Sequence, residues 1–359
     1  MKPRKTRRYV IGIIALTMGV LPKLLQAEIN SDLSMLSDDS NFELKSEIDT
    51  NTDSANLDQS DLKTPKAYMH RAATEMAFKN YSGAVADYSK AIELDPTFAP
   101  AYSNRALAEH RLGYEDDAYA DCARAIKLNP KFAAPYNVRG IVEMDFNPDY
   151  QGALADFNKA IELAPGFHAA YNNRAWVERR LKDYNGALED LNRSIEIAPD
   201  QVWAYRFRGR IQNDSQQFQA ALESFRRAVE IKPSDEYSRI QIWLIRVRLN
   251  EQNEATDELV GHIKSLPRAY LSKWPVPVEN YLTGTMVEAD VLQYAKMPVT
   301  NQRNQMERLC DANYFIGMKH LLAGDKTGAA DFFQKALNAF LVGYSIYESA
   351  AIELSRLKK

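Results

Sequence analysis

Five prolines, Pro96, Pro130, Pro165, Pro199 and Pro233, recur at intervals of 34, 35, 34 and 34 residues. Each closes a block that opens on an alanine, as in Ala84 to Pro96 and Ala187 to Pro199. Self-similarity at this period is the signature of stacked helical repeats, in which no unit buries its apolar face alone and each leans on its neighbours. The spacing therefore predicts an all-α solenoid of helix-turn-helix units. Each proline marks the end of a second helix, because it cannot continue the hydrogen-bond ladder.

With every proline set at position 32, repeats start near Pro65, Ala99, Ala133, His168 and Val202. Position 8 reads Ala72, Ala106, Gly140, Ala175 and Gly209, and position 20 is alanine throughout: Ala84, Ala118, Ala153, Ala187 and Ala221. Position 27 is Ala91, Ala125, Ala160, Ser194 and Ala228. Small side chains let the two helices of a unit approach closely, while Tyr88, Phe157 and Phe225 fill the gap towards the next pair. The one extra residue of the third repeat falls around Phe146-Asn147-Pro148-Asp149, turn chemistry that leaves the stacking intact. This pattern resembles the tetratricopeptide (TPR) repeat family, in its bacterial exported type. The resemblance implies a right-handed superhelical solenoid whose first helices line a concave face that holds other polypeptides and rarely carries chemistry of its own.

Position 7 is arginine in all five repeats: Arg71, Arg105, Arg139, Arg174 and Arg208. Position 11 is Glu75, Glu109, Glu143 and Glu178, then Gln212, and position 23 is Asp87, Asp121, Asp156 and Asp190, then Ser224. Residues four apart share a helix face, and position 23 brings a carboxylate from the second helix. The expectation is a repeated structural clamp of arginine between two carboxylates. Both carboxylates vanish together in the fifth repeat, where the regular array ends.

The formal net charge of −3 conceals an asymmetry. Residues 1–27 hold six basic residues and no acid, with an apolar run from Tyr9 to Leu21 that Pro22 ends. That run is shorter than the roughly 20 residues a bilayer-spanning helix needs, and Leu25-Gln26-Ala27 offers a cleavage point before Glu28. Residues 1–27 therefore read as a signal peptide, with a short membrane anchor over residues 9–21 as the alternative. Either places the protein in the exported, periplasmic or cell-envelope compartment. Residues 28–64, with ten acids and two lysines, read as an acidic disordered linker. No clustered basic face is present for phosphate binding, so nucleic acid is not an expected partner. Cys122 and Cys310 belong to distant units, and repeats touch only their neighbours, so no disulfide is expected between them.

Five TPR units over 65–235 are followed by a C-terminal helical region, 236–359, in which the register decays. An amphipathic pair spans Tyr237 to Asn250 and Ala255 to Leu266, a short helix lies near Glu288 to Lys296, and a last degenerate unit covers about 310–343 with Gly317, Gly324, Ala329, Phe333 and Ala336 in register. A closing helix over roughly Tyr344 to Leu357 is expected to cap the end of the core. Three further stretches, Trp274-Pro275-Val276-Pro277-Val278-Glu279-Asn280-Tyr281-Leu282-Thr283-Gly284, Ala312 to Gly317 with Leu321 to Asp325, and Tyr347 to Ala350, resemble the C-terminal half of NlpI-type periplasmic TPR lipoproteins. That resemblance implies a homodimeric adaptor that brings a processing protease to cell-wall hydrolases. The lipid-acceptor cysteine of those proteins is missing.

No H-E-x-x-H, C-x-x-C, G-x-S-x-G or glycine-rich phosphate loop occurs, and the five histidines are scattered. The sequence offers no catalytic or metal centre and implies no cofactor; the expected function is non-enzymatic. The candidate binding residues lie on first helices. Position 5 reads Met69, Ser103, Asn137, Asn172 and Arg206, and position 9 reads Ala73, Leu107, Ile141, Trp176 and Arg210. Asn137 and Asn172 suit an extended peptide, because an amide both donates to and accepts from its backbone. Trp176 and Trp203 are candidate apolar anchors, and Arg179, Arg180, Arg206 and Arg210 are candidates to meet acidic groups. The Lys and Asn of chaperone-binding TPR domains are replaced by Met69 and Ala73. The expected activity is that of an adaptor holding protein or peptide ligands, with a structural or oligomerisation module of an envelope assembly as the alternative.

Overall fold

The computed structural model describes residues 63–146, 149–299, 302–339, 341 and 345–358. The expected export segment and nearly all of the acidic linker, residues 1–62, lie outside the described residues, as do Asn147 and Pro148. Every regular element among the described residues is a helix. Five pairs come first: α1 (Pro65–Ala77) with α2 (Tyr81–Leu94), α3 (Ala99–Leu112) with α4 (Glu115–Leu128), α5 (Ala134–Phe146) with α6 (Tyr150–Leu163), α7 (His168–Arg180) with α8 (Tyr184–Ile197), and α9 (Val202–Asp214) with α10 (Phe218–Ile231). Each periodic proline falls two residues beyond a second helix. The carbonyls of three of them accept a hydrogen bond from the tyrosine of the next first helix, Tyr102 on Pro96, Tyr136 on Pro130 and Tyr171 on Pro165, at 3.2–3.3 Å. The residue that ends one unit is thus tied to the start of the next.

Local chemistry sets the turn inside each unit. Lys79, Gly113, Lys182 and Gln216 adopt left-handed backbone conformations, which end a first helix in the usual way. Asn80, Asp149 and Asp183 then cap the second helix by accepting from the amides of Gly83, Gly152 and Gly186 at 3.0–3.2 Å. The amide that leads into the second helix bonds back to the position-11 carbonyl, as Asp183 does to Glu178 at 2.8 Å. In the third repeat Asp149 still reaches Glu143, at 3.1 Å, across one more residue. The turn absorbs the insertion and the stacking is unaffected.

Packing between the paired helices follows size complementarity. Gly140, Gly209 and Gly317 stand where an added Cβ would come within 2.7–3.0 Å of Phe157, Phe225 and Phe333 respectively. Alanine holds the same position where the opposite side chain is Cys122 or Leu191. Gly140→Ala therefore sets helix propensity, a gain of about 1 kcal/mol, against overpacking, a cost of about 1–3 kcal/mol. Phe157 is completely enclosed, so overpacking wins. The denaturation midpoint is expected to fall, and Phe157→Leu in the same chain is expected to recover it. An unchanged midpoint would mean that the helices separate freely.

Past the fifth repeat come α11 (Glu236–Arg248), α12 (Gln252–Ser265), α13 (Val276–Leu282), α14 (Glu288–Lys296), α15 (Gln302–Leu322), α16 (Lys326–Leu337) and α17 (Ser345–Leu357). They share one apolar core containing Trp243, Val278, Tyr281, Cys310, Tyr314, Phe315 and Phe333. Cys122 and Cys310 are both free and buried. The first helix of the last unit starts at Gln302, earlier than the sequence pattern implies, and runs for 21 residues. α17 packs on the C-terminal core and also reaches beyond it. Ile346, Ala350 and Leu354 bury one stripe of it in the C-terminal core, while its acidic stripe reaches back to the fourth and fifth repeats.

Candidate protein-binding groove

The first helices of the second, third and fourth repeats touch one another in sequence along the inner side of the stack. Their position-7 arginines form the clamps. Arg71, Arg105, Arg139 and Arg174 each grip the position-23 aspartate with two nitrogens, the Nε bond measuring 2.6–2.7 Å in every case. A third contact reaches the preceding repeat: Arg105 to Ser89, Arg174 to Asn158 and Arg208 to Asn192, at 2.6–2.9 Å. The glutamates stand further off, Glu109 at 3.6 Å and Glu178 at 3.8 Å from the guanidinium. The clamp is therefore one arginine on one aspartate. Burial and the neighbouring aspartate push both glutamates up to about 8, so each carboxyl holds its proton near neutrality. Arg208 has Ser224 as partner instead of a carboxylate, and burial lowers its pKa.

The amides expected to hold a ligand backbone are engaged between repeats. Asn137 accepts from the Asn173 side chain at 2.8 Å, and Asn172 donates to Gln201 at 2.9 Å, which in turn contacts His168 at 2.7 Å. Burial drives the His168 pKa down to about 4, so this network is neutral. Trp203 is buried against Phe207, ring centroids 4.9 Å apart, within the fourth-to-fifth repeat core. It belongs to the packing and not to an open wall. Trp176 is half-buried beside Tyr150, with Arg180 over its face at 4.5 Å.

The arginines come together around α17. Glu348 bridges Arg179 and Arg180, and Arg179 also meets Asp214 at 3.2 Å. Five residues further along α17 from Glu348, Glu353 pairs with Arg248 at 2.6 Å, and Arg356 donates to Glu353 and to the Asp214 carbonyl. Arg179 and Asp214 are each only 6% exposed at the side chain. Burial opposes the Arg179 charge, but Glu348 and Asp214 more than offset it, whereas burial raises the Asp214 pKa despite its arginine neighbours. Arg206 stays more open, over Tyr237 at 4.7 Å and 3.7 Å from Asp235. Arg210 is buried over Phe207 at 5.4 Å and forms no ion pair among the described residues. Burial and the adjacent Arg179 lower its pKa. Arg180 and Arg210 thus share one site, while Asn137, Asn172 and Trp203 serve the stack. Sequence reasoning missed Asp214, Arg248, Glu348 and Glu353, because their partners lie up to 169 residues apart.

Among the described residues, no helix is long and apolar enough to cross a membrane. Profiles described as TPR repeat and tetratricopeptide repeat match residues 76–113, 99–132 and 166–234. Several solved structures share the architecture. A monomeric mutant of IFIT1 with Gppp-AAAA is 14% identical and aligns over 77% of this chain and 72% of its own, with a TM-score of 0.51. PilF of Pseudomonas aeruginosa is 18% identical over 59% of this chain and 94% of its own, TM-score 0.48. A thermophilic TPR protein of Thermus thermophilus is 16% identical over 50% and 97%, TM-score 0.45. Repeats of this kind are protein-interaction scaffolds and generally not catalysts. With its period, its clamps and these profile matches taken together, the chain carries tetratricopeptide repeats across residues 76–132 and 166–234.

Proposed function

We propose that this protein is an exported, non-enzymatic adaptor whose concave groove captures acidic polypeptide segments in the cell envelope. The observation that carries the reading is the set of Arg179, Arg180 and Arg248 already holding an acidic helix, α17, with buried Arg210 alongside and without an ion pair among the described residues. A groove that recognises two carboxylates of its own chain has the charge and shape to take them from another. The ligand favoured by this geometry is a helix carrying acids five residues apart, as Glu348 and Glu353 are, in place of the extended backbone that the asparagines alone imply. Export rests on the basic start and the short apolar run of residues 1–27. The competing reading, a structural or dimerising module, rests on exposed Tyr270, Leu271, Val287 and Met297 in the C-terminal half.

Photo-crosslinking in the envelope separates the two. A photoreactive residue at Leu107 or Trp176 on the inner face is expected to yield polypeptide adducts, and one at exposed Lys90 none. Glu348→Gln, which loosens the resident helix, is expected to increase the Trp176 adducts. Adducts confined to probes at Val287 and Met297 would replace the adaptor with the dimerising module.

A further inference from the structure

We propose that Glu236, His262 and Glu279 form a binding site for a divalent transition-metal cation, best suited to Zn2+, which joins α11, α12 and α13. Glu236 is the first residue of α11, His262 lies in the last turn of α12 and Glu279 is in the middle of α13. These helices lie just past the last regular repeat, where the stack passes into the C-terminal core. Their nearest donor atoms all lie within 4.8 Å of one another, and the His262 Nε2 to Glu236 Oε2 distance is 2.6 Å. Tetrahedral zinc with nitrogen and oxygen ligands at about 2.0–2.2 Å sets its ligands about 3.4 Å apart. Shifts of about an ångström bring the three groups to that separation. One imidazole with two carboxylates is a donor set that zinc accepts, leaving a fourth position for water.

Glu279 supplies the second, independent observation. Its side chain is completely buried, and neither carboxylate oxygen has a hydrogen-bond partner among the described residues. A buried carboxyl without donors holds its proton or takes a cation. Arg239 lies 3.7 Å from Glu236 and opposes a cation, but its Nη2 is turned away to the Pro233 carbonyl at 2.8 Å. His262 also lines a surface pocket bounded by Arg239, Trp243 and Glu258.

The full-length chain, stripped with a chelator and dialysed, is titrated with Zn2+ by calorimetry and then heated. One ion per chain is expected, with release of protons and a raised melting temperature. Co2+ in its place is expected to show the visible absorption of a tetrahedral site. Glu279→Gln is the informative variant, because its amide keeps the size of the carboxyl while lacking the charge a metal needs. It is expected to keep the metal-free melting temperature and to lose zinc affinity at least a hundredfold. His320→Ala, at the separate His320, Asp325 and Glu288 contact, is expected to leave zinc binding intact. The proposal is overturned if the wild type takes up no zinc, if Glu279→Gln binds it as tightly, or if His320→Ala abolishes binding.

Discussion

Arg179→Met is expected to be the most damaging single substitution in this protein. It leaves Asp214 buried without its cation and leaves Glu348 only Arg180. Breaking a buried pair from one side typically costs about 3–5 kcal/mol, because the abandoned charge stays desolvated. In a chain of this size, each 1 kcal/mol lowers the melting temperature by about 2–4 °C, so a fall of roughly 10 °C is expected. Amide exchange should also accelerate across residues 345–357 before it does so in the N-terminal repeats. Removing both sides is less costly than removing one, so Glu348→Gln in the Arg179→Met background should add little further loss. Full additivity of the two changes, with α17 exchanging as slowly as before, would show that the return of this helix is governed by its apolar stripe alone.

Arg139→Met is the second. Arg139 holds Asp156 at 2.6 and 2.7 Å and lies over Tyr136 and Tyr119. Its removal leaves Asp156, 9% exposed at the side chain, beside Glu143, itself raised by burial and by Asp156. Two carboxyls then compete for one proton in a half-dry site. The arginine is 23% exposed, so the cost falls below that of a fully buried pair, at about 2–3 kcal/mol. Arg208→Met is the comparison within the same molecule. Arg208 bonds only to Ser224 and Asn192, so its loss is expected to cost about 1 kcal/mol or less. Urea midpoints at unchanged slope measure both. Equal losses at the two positions would remove the carboxylate from the explanation and leave the hydrophobic stem of the arginine as the stabilising part.

The reach of sequence reasoning follows from sequence separation. Small residues at positions 8, 20 and 27 and the proline at 32 act within one unit or on its neighbour, so a single period exposes them. Phe157 opposite Gly140 is legible for the same reason. Asn137 and Asn172 stand at a position that faces inward in an isolated repeat, and only the stack shows their amides meeting Asn173 and Gln201 of adjoining units. Glu348 carries no signal of its own. It is one acid on an amphipathic helix, and only the folded chain brings it to Arg179. The cluster of Glu236, His262 and Glu279 is equally hidden, since its members come from three helices with no regular spacing.

α17 also changes the statistical mechanics of the molecule. A linear stack frays from either end, because each unit depends only on the one beside it. The pairing of Arg179 with Glu348 closes a circuit of chain 169 residues apart, and that closure carries an entropic cost that grows only slowly with loop length. Once it is made, units between the fourth repeat and the C-terminus no longer have a free end from which to peel. That half of the solenoid should open as one cooperative block, while the first three repeats still melt from the N-terminal side, so two regions built from the same repeat differ in how they yield.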